Sequence, residues 1–167
     1  MIVILFGVSG AGKTTLGRVL AADLGWTFYE GDDFHSQANI DKMQAGVPLT
    51  DEDRRPWLNA LRGMIERCSA KKENIILTCS ALKKSYRSFL RVNEEVKFVY
   101  LRGSYDLVAN QLRQRHGHFM NPELLRSQFA TLEEPDPAEQ VMTIELGRSP
   151  RDLVDEINKK LRCYFTS

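Results

Sequence analysis

The sequence has few cysteines, little net charge and no long apolar run, and each shortage excludes a class of protein. Its cysteines, Cys68, Cys79 and Cys163, are odd in number and lack C-x-x-C spacing, so we expect reduced thiols in a cytoplasmic protein rather than disulfides or a cysteine metal site. The 23 basic and 22 acidic residues leave a net charge of +1, which argues against general binding to nucleic acid or an anionic membrane. No apolar run approaches the roughly 20 residues that cross a bilayer, and the N-terminus does not resemble a signal peptide.

Short β-rich runs alternate with helical patterns along the 167 residues. The predicted strands cover residues 2–6, 26–30, 74–80, 96–102 and 141–146. The predicted helices cover residues 13–24, about 36–46, about 51–70, 82–92, 104–115 and 150–162. This alternation predicts one α/β domain over 1–167, with a five-stranded parallel sheet and helices on both faces in three layers.

The segment GVSGAGKT (7–14) matches the phosphate-binding pattern G-x-x-x-x-G-K-[ST] and lies between the first predicted strand and helix. Glycines let the backbone N–H groups turn towards phosphate oxygens, and the helix N-terminus adds a positive dipole end. Lys13 is expected to reach the β- and γ-phosphates, and Thr14 to coordinate Mg²⁺. The predicted ATP-binding residues here are Gly7, Val8, Ser9, Gly10, Ala11, Gly12, Lys13, Thr14 and Thr15.

The residues at the ends of the other predicted strands indicate which class of phosphate-loop protein this is. The predicted strands around 78 and 101 do not end in the aspartate that motor ATPases and GTPases use near Mg²⁺, and no N-K-x-D guanine pattern occurs. These observations favour a small-molecule kinase. Asp32 and Asp33 follow the second strand, where a carboxylate can orient or deprotonate the attacking hydroxyl and help to hold Mg²⁺. We predict Asp32 as the catalytic residue, and Asp33 as a structural one that caps the next helix.

Five blocks between residues 7 and 135 resemble the short, P-loop type of gluconokinase. They are GVSGAGKTT, GDDFH, NIDKMQAGVPLTDEDRRPWL, CSALKKSYRSFLR and HFMNPELLRSQFATLEEP. The resemblance implies a P-loop kinase fold with a substrate-binding helical region at about 30–70 and a lid at about 116–135. It also implies Mg²⁺-dependent transfer of phosphate from ATP to the 6-hydroxyl of D-gluconate, and a homodimer. Ala11 and Glu30 depart from the family, which often has Ser and Asp there; neither side chain is expected to be needed for phosphate chemistry.

Gluconate carries one carboxylate and a row of hydroxyls, so its site needs a cation and several directional polar groups. The predicted acceptor-binding residues are Asp32, His35, Arg54, Lys83, Arg87, His118 and Gln128. Arg54 can bind the carboxylate in a bidentate manner, or can pair with Asp51 or Asp53 at the surface. Lys83 and Arg87, four residues apart, are expected to converge on one anion, unless they belong to an exposed basic helix. Trp57 is predicted as a core anchor.

Further cations precede and follow the lid segment. Arg113 or Arg115 is expected to stabilise charge on the transferring phosphate, and the competing roles are stacking on adenine or capping a helix. Gln128 is expected to help position either the substrate or the lid. Arg148 and Pro150, after the fifth strand, are expected to border adenine. Two other functions remain open from the residues: another small-molecule kinase, such as a shikimate kinase, and a nucleotide-binding regulator.

Overall fold

The computed structural model describes residues 1–115 and 121–165. The strands are β1 (Ile2–Phe6), β2 (Thr27–Glu30), β3 (Ile75–Cys79), β4 (Val96–Arg102) and β5 (Met142–Glu145). The helices are α1 (Lys13–Leu24), α2 (Gln37–Gln44), α3 (Asp51–Ala70), α4 (Lys84–Leu90), α5 (Tyr105–Gln114), α6 (Pro122–Thr131) and α7 (Pro150–Phe165). Short 3₁₀ turns lie at Gly31–Phe34 and Pro137–Glu139.

The five strands form one parallel sheet in the order β2-β3-β1-β4-β5, which confirms the predicted fold class. β1 lies at the centre, with Ile2 opposite Ile75 on one side and Val96 on the other. All five of its residues are buried, because helices cover both faces. Val3 and Leu5 pack in one core, and alternate residues of the strand pack in the other.

The predicted and observed elements agree to within one or two residues at most ends, except between residues 121 and 140. A lid was expected at about 116–135, with no helix predicted in it, and the structure places helix α6 there at Pro122–Thr131, with Asn121 as its N-cap and Pro122 in its first turn. Pro56 is accommodated within the early part of α3, which continues to Ala70. Among the described residues, no helix is both long and apolar enough to cross a membrane.

The carboxyl ends of the strands share one edge of the sheet. β1 has β3 on one side and β4 on the other, so the loops that follow these strands diverge at β1. Ligands of open α/β sheets bind in the crevice at such a point. The phosphate loop follows β1, the Asp32 turn follows β2, and residues 80–83 follow β3.

Candidate active site

The phosphate loop joins β1 to α1. Gly12 is the N-cap of α1 with φ of 84°, a left-handed conformation that glycine adopts without strain. Lys13 curls back over the loop and donates hydrogen bonds from Nζ to the carbonyl oxygens of Gly7 (3.1 Å) and Val8 (2.9 Å). Burial lowers the pKa of Lys13, the nearby Asp32 carboxylate raises it, and the Arg115 cation lowers it. The side chain of Lys13 is therefore held among the charged groups that were expected to surround a transferred phosphate.

Glu30 is a site residue that the sequence analysis missed. Its carboxylate accepts a hydrogen bond of 2.5 Å from the Thr14 hydroxyl and one of 2.6 Å from the Thr78 hydroxyl. The expectation that this side chain has no part in phosphate chemistry conflicts with its contact to Thr14, the predicted Mg²⁺ ligand. The position of Glu30 in the sequence could have indicated this role. Glu30 is the last residue of β2, and β2 pairs with β3, the strand that ends next to the phosphate loop.

Asp32 and Asp33 lie on the 3₁₀ turn Gly31–Phe34, and both are exposed. Gly31 fits tightly, because a Cβ there would lie 2.2 Å from the carbonyl oxygen of Thr78. The Asp32 charge raises the pKa of both Lys13 and His35. Asp32 thus lies between the phosphate loop and the predicted acceptor residues.

The predicted cap role of Asp33 is wrong. Ser36 is the N-cap of α2, and its hydroxyl accepts a hydrogen bond of 3.2 Å from the backbone N–H of Asn39. The sequence offered two acidic residues and a serine before the same helix, and propensity alone does not rank them.

His35 lies on the face of a buried aromatic ring. Its imidazole stacks on Trp57 with centroids 4.5 Å apart and planes inclined by 10°. Trp57 is 1% exposed and donates a hydrogen bond of 2.8 Å to the carbonyl of Gly31, so it anchors the core as predicted and also fixes the turn Gly31–Phe34.

Arg54 faces the same region from the first turns of α3. Its guanidinium lies 3.4 Å from the Tyr86 hydroxyl and over the Tyr86 ring. Asp53 pairs with Lys42, and Asp51 pairs with Lys83, so neither acid forms the surface ion pair that was the competing role of Arg54.

Lys83 and Arg87 do not converge on one anion. Lys83 binds Asp51 at 2.8 Å. Arg87 is 1% exposed and makes a bidentate ion pair with Glu139 at 2.7 and 2.9 Å, and it also donates to two backbone carbonyls. The exposed-helix interpretation is equally wrong for Arg87, because this residue of α4 is buried and binds Glu139, which lies in the segment after α6.

Gln128 of α6 contacts the phosphate loop. Its Oε1 accepts a hydrogen bond of 2.7 Å from the Ser9 N–H, and its Nε2 donates one of 3.0 Å to the Ser9 hydroxyl. Arg113 and Arg115 lie at the exposed end of α5, and the effect on Lys13 places Arg115 on the phosphate side. The predicted acceptor residue His118 lies outside the described residues.

Arg148 and Pro150 both lie near the start of α7, after β5. Pro150 is the first residue of α7, and Arg148 pairs with Glu156 of that helix. Thr15 is exposed in the first turn of α1. None of these contacts tests the predicted roles at adenine and phosphate.

The oxygen atoms around Thr14 suit Mg²⁺. This ion prefers hard oxygen ligands, binds few protein groups and keeps several waters. The Thr14 hydroxyl and the Glu30 and Asp32 carboxylates offer such oxygens. The described residues hold no cluster of three or more His, Cys, Asp or Glu side chains fit to bind a metal.

The parallel sheet, phosphate loop and neighbouring carboxylates define a P-loop kinase of the shikimate kinase type. The family model described as Shikimate kinase matches residues 9–162. A probable gluconokinase from Mus musculus is 40% identical, with 96% of this chain and 97% of the relative covered. The structure of a gluconokinase from Sinorhizobium meliloti superposes with a TM-score of 0.86 at 38% identity, covering 99% and 96% of the chains. A shikimate kinase from Acinetobacter baumannii, at 24% identity and a TM-score of 0.61 over 98% and 93%, shares the fold.

The chain belongs to the gluconokinase family.

Proposed function

We propose that this protein transfers the γ-phosphate of ATP to the 6-hydroxyl of D-gluconate, giving 6-phospho-D-gluconate and ADP. The observation that carries the proposal is the 40% identity to a probable gluconokinase over nearly the whole chain. The geometry supports it, because Asp32 lies near both the phosphate-loop Lys13 and the polar residues of the acceptor region. Shikimate kinase, another kinase of this fold, is less similar to this chain.

On the ATP side, the phosphate loop and the α1 N-terminus bind the phosphates, and Lys13 neutralises their charge. Thr14, Glu30 and Asp32 are the residues that would hold Mg²⁺ and its waters. The bound ion supplies charge neutralisation to the phosphate oxygens. Gln128 fixes Ser9 and so sets the shape of the loop rather than binding gluconate.

On the acceptor side, the 6-hydroxyl oxygen forms a bond to the γ-phosphorus while the bond to the β–γ bridging oxygen breaks. Asp32 accepts the hydroxyl proton and later releases it to solvent. Arg54 binds the gluconate carboxylate, and His35 binds a hydroxyl. Arg115 stabilises the charge on the transferring group from the end of α5.

An acceptor panel tests the proposal. ADP release from ATP and Mg²⁺ is measured with D-gluconate, shikimate, AMP or no acceptor. Stimulation by D-gluconate alone, with the product identified by ³¹P NMR, is the expected result. Stimulation by shikimate alone would assign a different acceptor to the same machinery. Binding of ATP without stimulation by any acceptor would favour a regulator.

The location and assembly are also proposals. We infer a cytoplasmic enzyme that acts on small molecules, with neither nucleic acid nor membrane as a partner; the net charge of +1 and the three cysteines, which form no disulfide, support this. The homodimer rests on the family resemblance, and light scattering on the purified protein tests it.

A further inference from the structure

One buried amide connects α2, α3 and the imidazole of His35. Asn39 lies in the first turn of α2 and is 6% exposed. Its Nδ2 donates a hydrogen bond of 2.8 Å to the carbonyl oxygen of Asp53 in α3, and it lies 3.4 Å from Nδ1 of His35. The Ser36 hydroxyl holds the backbone N–H of Asn39. The amide therefore has little freedom to move away from the imidazole.

The Asp53 carbonyl decides which way the amide faces. If the amide were rotated by half a turn, Oδ1 of Asn39 would lie about where Nδ2 now lies, against another carbonyl oxygen. Two acceptors would then face each other without a proton between them, which is unfavourable in a buried place. The nitrogen must therefore face both Asp53 and His35.

The orientation of the amide fixes the state of the imidazole. An amide NH₂ group has two donor hydrogens and no acceptor, so Nδ1 of His35 must accept, and it carries no proton. A neutral imidazole with an unprotonated Nδ1 carries its proton on Nε2. The stack on Trp57 restrains the plane of the ring, so the ring cannot turn freely to put Cδ2 in the place of Nδ1.

Burial of the ring favours a neutral imidazole, while the two neighbouring charges act in opposite directions. Burial lowers the pKa of His35 below its ordinary value of 6.5, which is the largest effect. The Asp32 carboxylate, on the 3₁₀ turn, raises the pKa, and the Arg54 guanidinium, on α3, lowers it. These two charges come from the two elements that flank the ring.

We propose that Asn39 is a positioning residue that keeps His35 in the neutral Nε2–H form, so that His35 always offers a hydrogen-bond donor to a hydroxyl oxygen of the acceptor. The identity of the acceptor rests on the proposed function. His35 and Asp32 therefore have different roles. His35 has no ring nitrogen free to take the hydroxyl proton, because Nδ1 is bound to Asn39 and Nε2 already carries a proton. Asp32 alone is left to accept it.

The tautomer is measured directly by ¹⁵N NMR of the imidazole nitrogens in the full-length protein. The chain has three histidines, and a His35→Gln variant assigns the signals. We expect a protonated Nε2 and an unprotonated Nδ1 for wild-type His35 at neutral pH. Asn39→Ala should mix the two tautomers and raise the pKa of His35, and Asn39→Asp should raise the pKa further by favouring the imidazolium. Gln37→Ala is the matched control, because it removes an exposed amide of α2 that bonds Asp41.

Kinetics distinguishes positioning from general support of the fold. Asn39→Ala should raise the KM for D-gluconate about five- to tenfold, the loss of one oriented hydrogen bond, and leave the KM for ATP unchanged.

An Nδ1-protonated His35 in the wild-type protein, or an unchanged gluconate KM in Asn39→Ala, would overturn the inference. The wild-type spectrum needs no variant to fold. If wild type did not phosphorylate gluconate, the proposed function would fail, while the spectrum would still decide the tautomer.

Discussion

The Glu30 carboxylate ends β2 between two hydroxyls, those of Thr14 and Thr78. A carboxylate in this position orients the Thr14 hydroxyl and adds negative charge beside the proposed site of Mg²⁺ and its waters. Replacing one oxygen by an amide keeps the size of the side chain and removes the charge.

Glu30→Gln should therefore raise the Mg²⁺ concentration needed for half-maximal activity by about tenfold or more, as for loss of a group that orients a metal ligand. The KM for D-gluconate should stay the same. The measurement is the initial rate across a Mg²⁺ series at saturating ATP. A parallel loss of gluconate affinity would place Glu30 in the acceptor site instead.

Asp32 is the residue that we propose accepts the hydroxyl proton. Asp32→Asn keeps its shape and removes its basicity, so kcat should fall by about 10²–10⁴-fold while the Kd for ATP changes little. Rapid-quench kinetics and nucleotide-binding titrations check the two parts. Asp33→Asn, on the same exposed turn, is the control. Loss of activity in Asp33→Asn alone would move the base to Asp33.

Arg54 is half-buried beside Tyr86 and is assigned to the acceptor carboxylate. Arg54→Ala should raise the KM for D-gluconate about 10–100-fold, because a charge-assisted bidentate contact is lost. The KM for ATP should not rise. Exposed Arg55, which pairs with Glu52, is the control for general loss of charge on α3. Equal effects on both KM values would remove Arg54 from the acceptor site.

At the scale of elements, the segment after α6 is attached to α4 by ionic contacts. Arg87 and Glu139 form the buried pair, and Arg91 donates to the carbonyl of Glu139. Glu133 accepts from the backbone N–H of Lys84. These contacts give α6 a fixed end, so that Gln128 reaches Ser9 in a defined position.

Arg87→Met and Glu139→Gln should each lower the free energy of unfolding by about 3 kcal/mol or more, because each leaves a buried charge without its partner. The loss is measured by urea denaturation. Lys84→Met breaks the exposed pair with Asp136 and should change stability little. If Arg87→Met instead raised the gluconate KM without loss of stability, Arg87 would belong to the acceptor site.

The Arg87–Glu139 pair also makes the free energy of unfolding depend on pH. The hydrogen bonds from Arg87 hold the pKa of Glu139 below its usual 4.5. The stabilising contribution of this carboxylate is therefore complete above about pH 4.5, the pKa of the unfolded state, and is lost as the pH falls through the lower pKa of the folded state.

At the scale of the whole molecule, the thiols report on the integrity of the core. Cys68 and Cys79 are buried, burial raises the pKa of Cys79 to about 12, and Cys163 is exposed on α7. A thiol reagent at pH 8 should titrate one group quickly in the native protein and three after unfolding, and Cys163→Ser should remove the fast phase. Fast modification of two thiols would mean that the core opens at Cys68 or at Cys79.

Most of the fold was legible from the sequence, because the phosphate-loop motif and the alternation of strands and helices are local patterns. Residues whose partners are distant in sequence were not. Glu30 and Arg87 are defined by contacts with Thr78 and Glu139, about 50 residues away, and periodicity within one helix placed Arg87 with the wrong partner. Helix α6 was missed because its prolines and charged neighbours resemble a loop, while its N-cap and packing make Pro122 favourable.

The central position of β1 has a consequence for synthesis on the ribosome. Ile2 is made before its strand partners, Ile75 and Val96, which follow much later in the chain. At the usual rates of translation this delay is roughly 5–20 s. For that time an apolar segment has no sheet to join, and chaperones can bind it. The most deeply enclosed strand of the finished enzyme is the one that the nascent chain leaves unprotected longest.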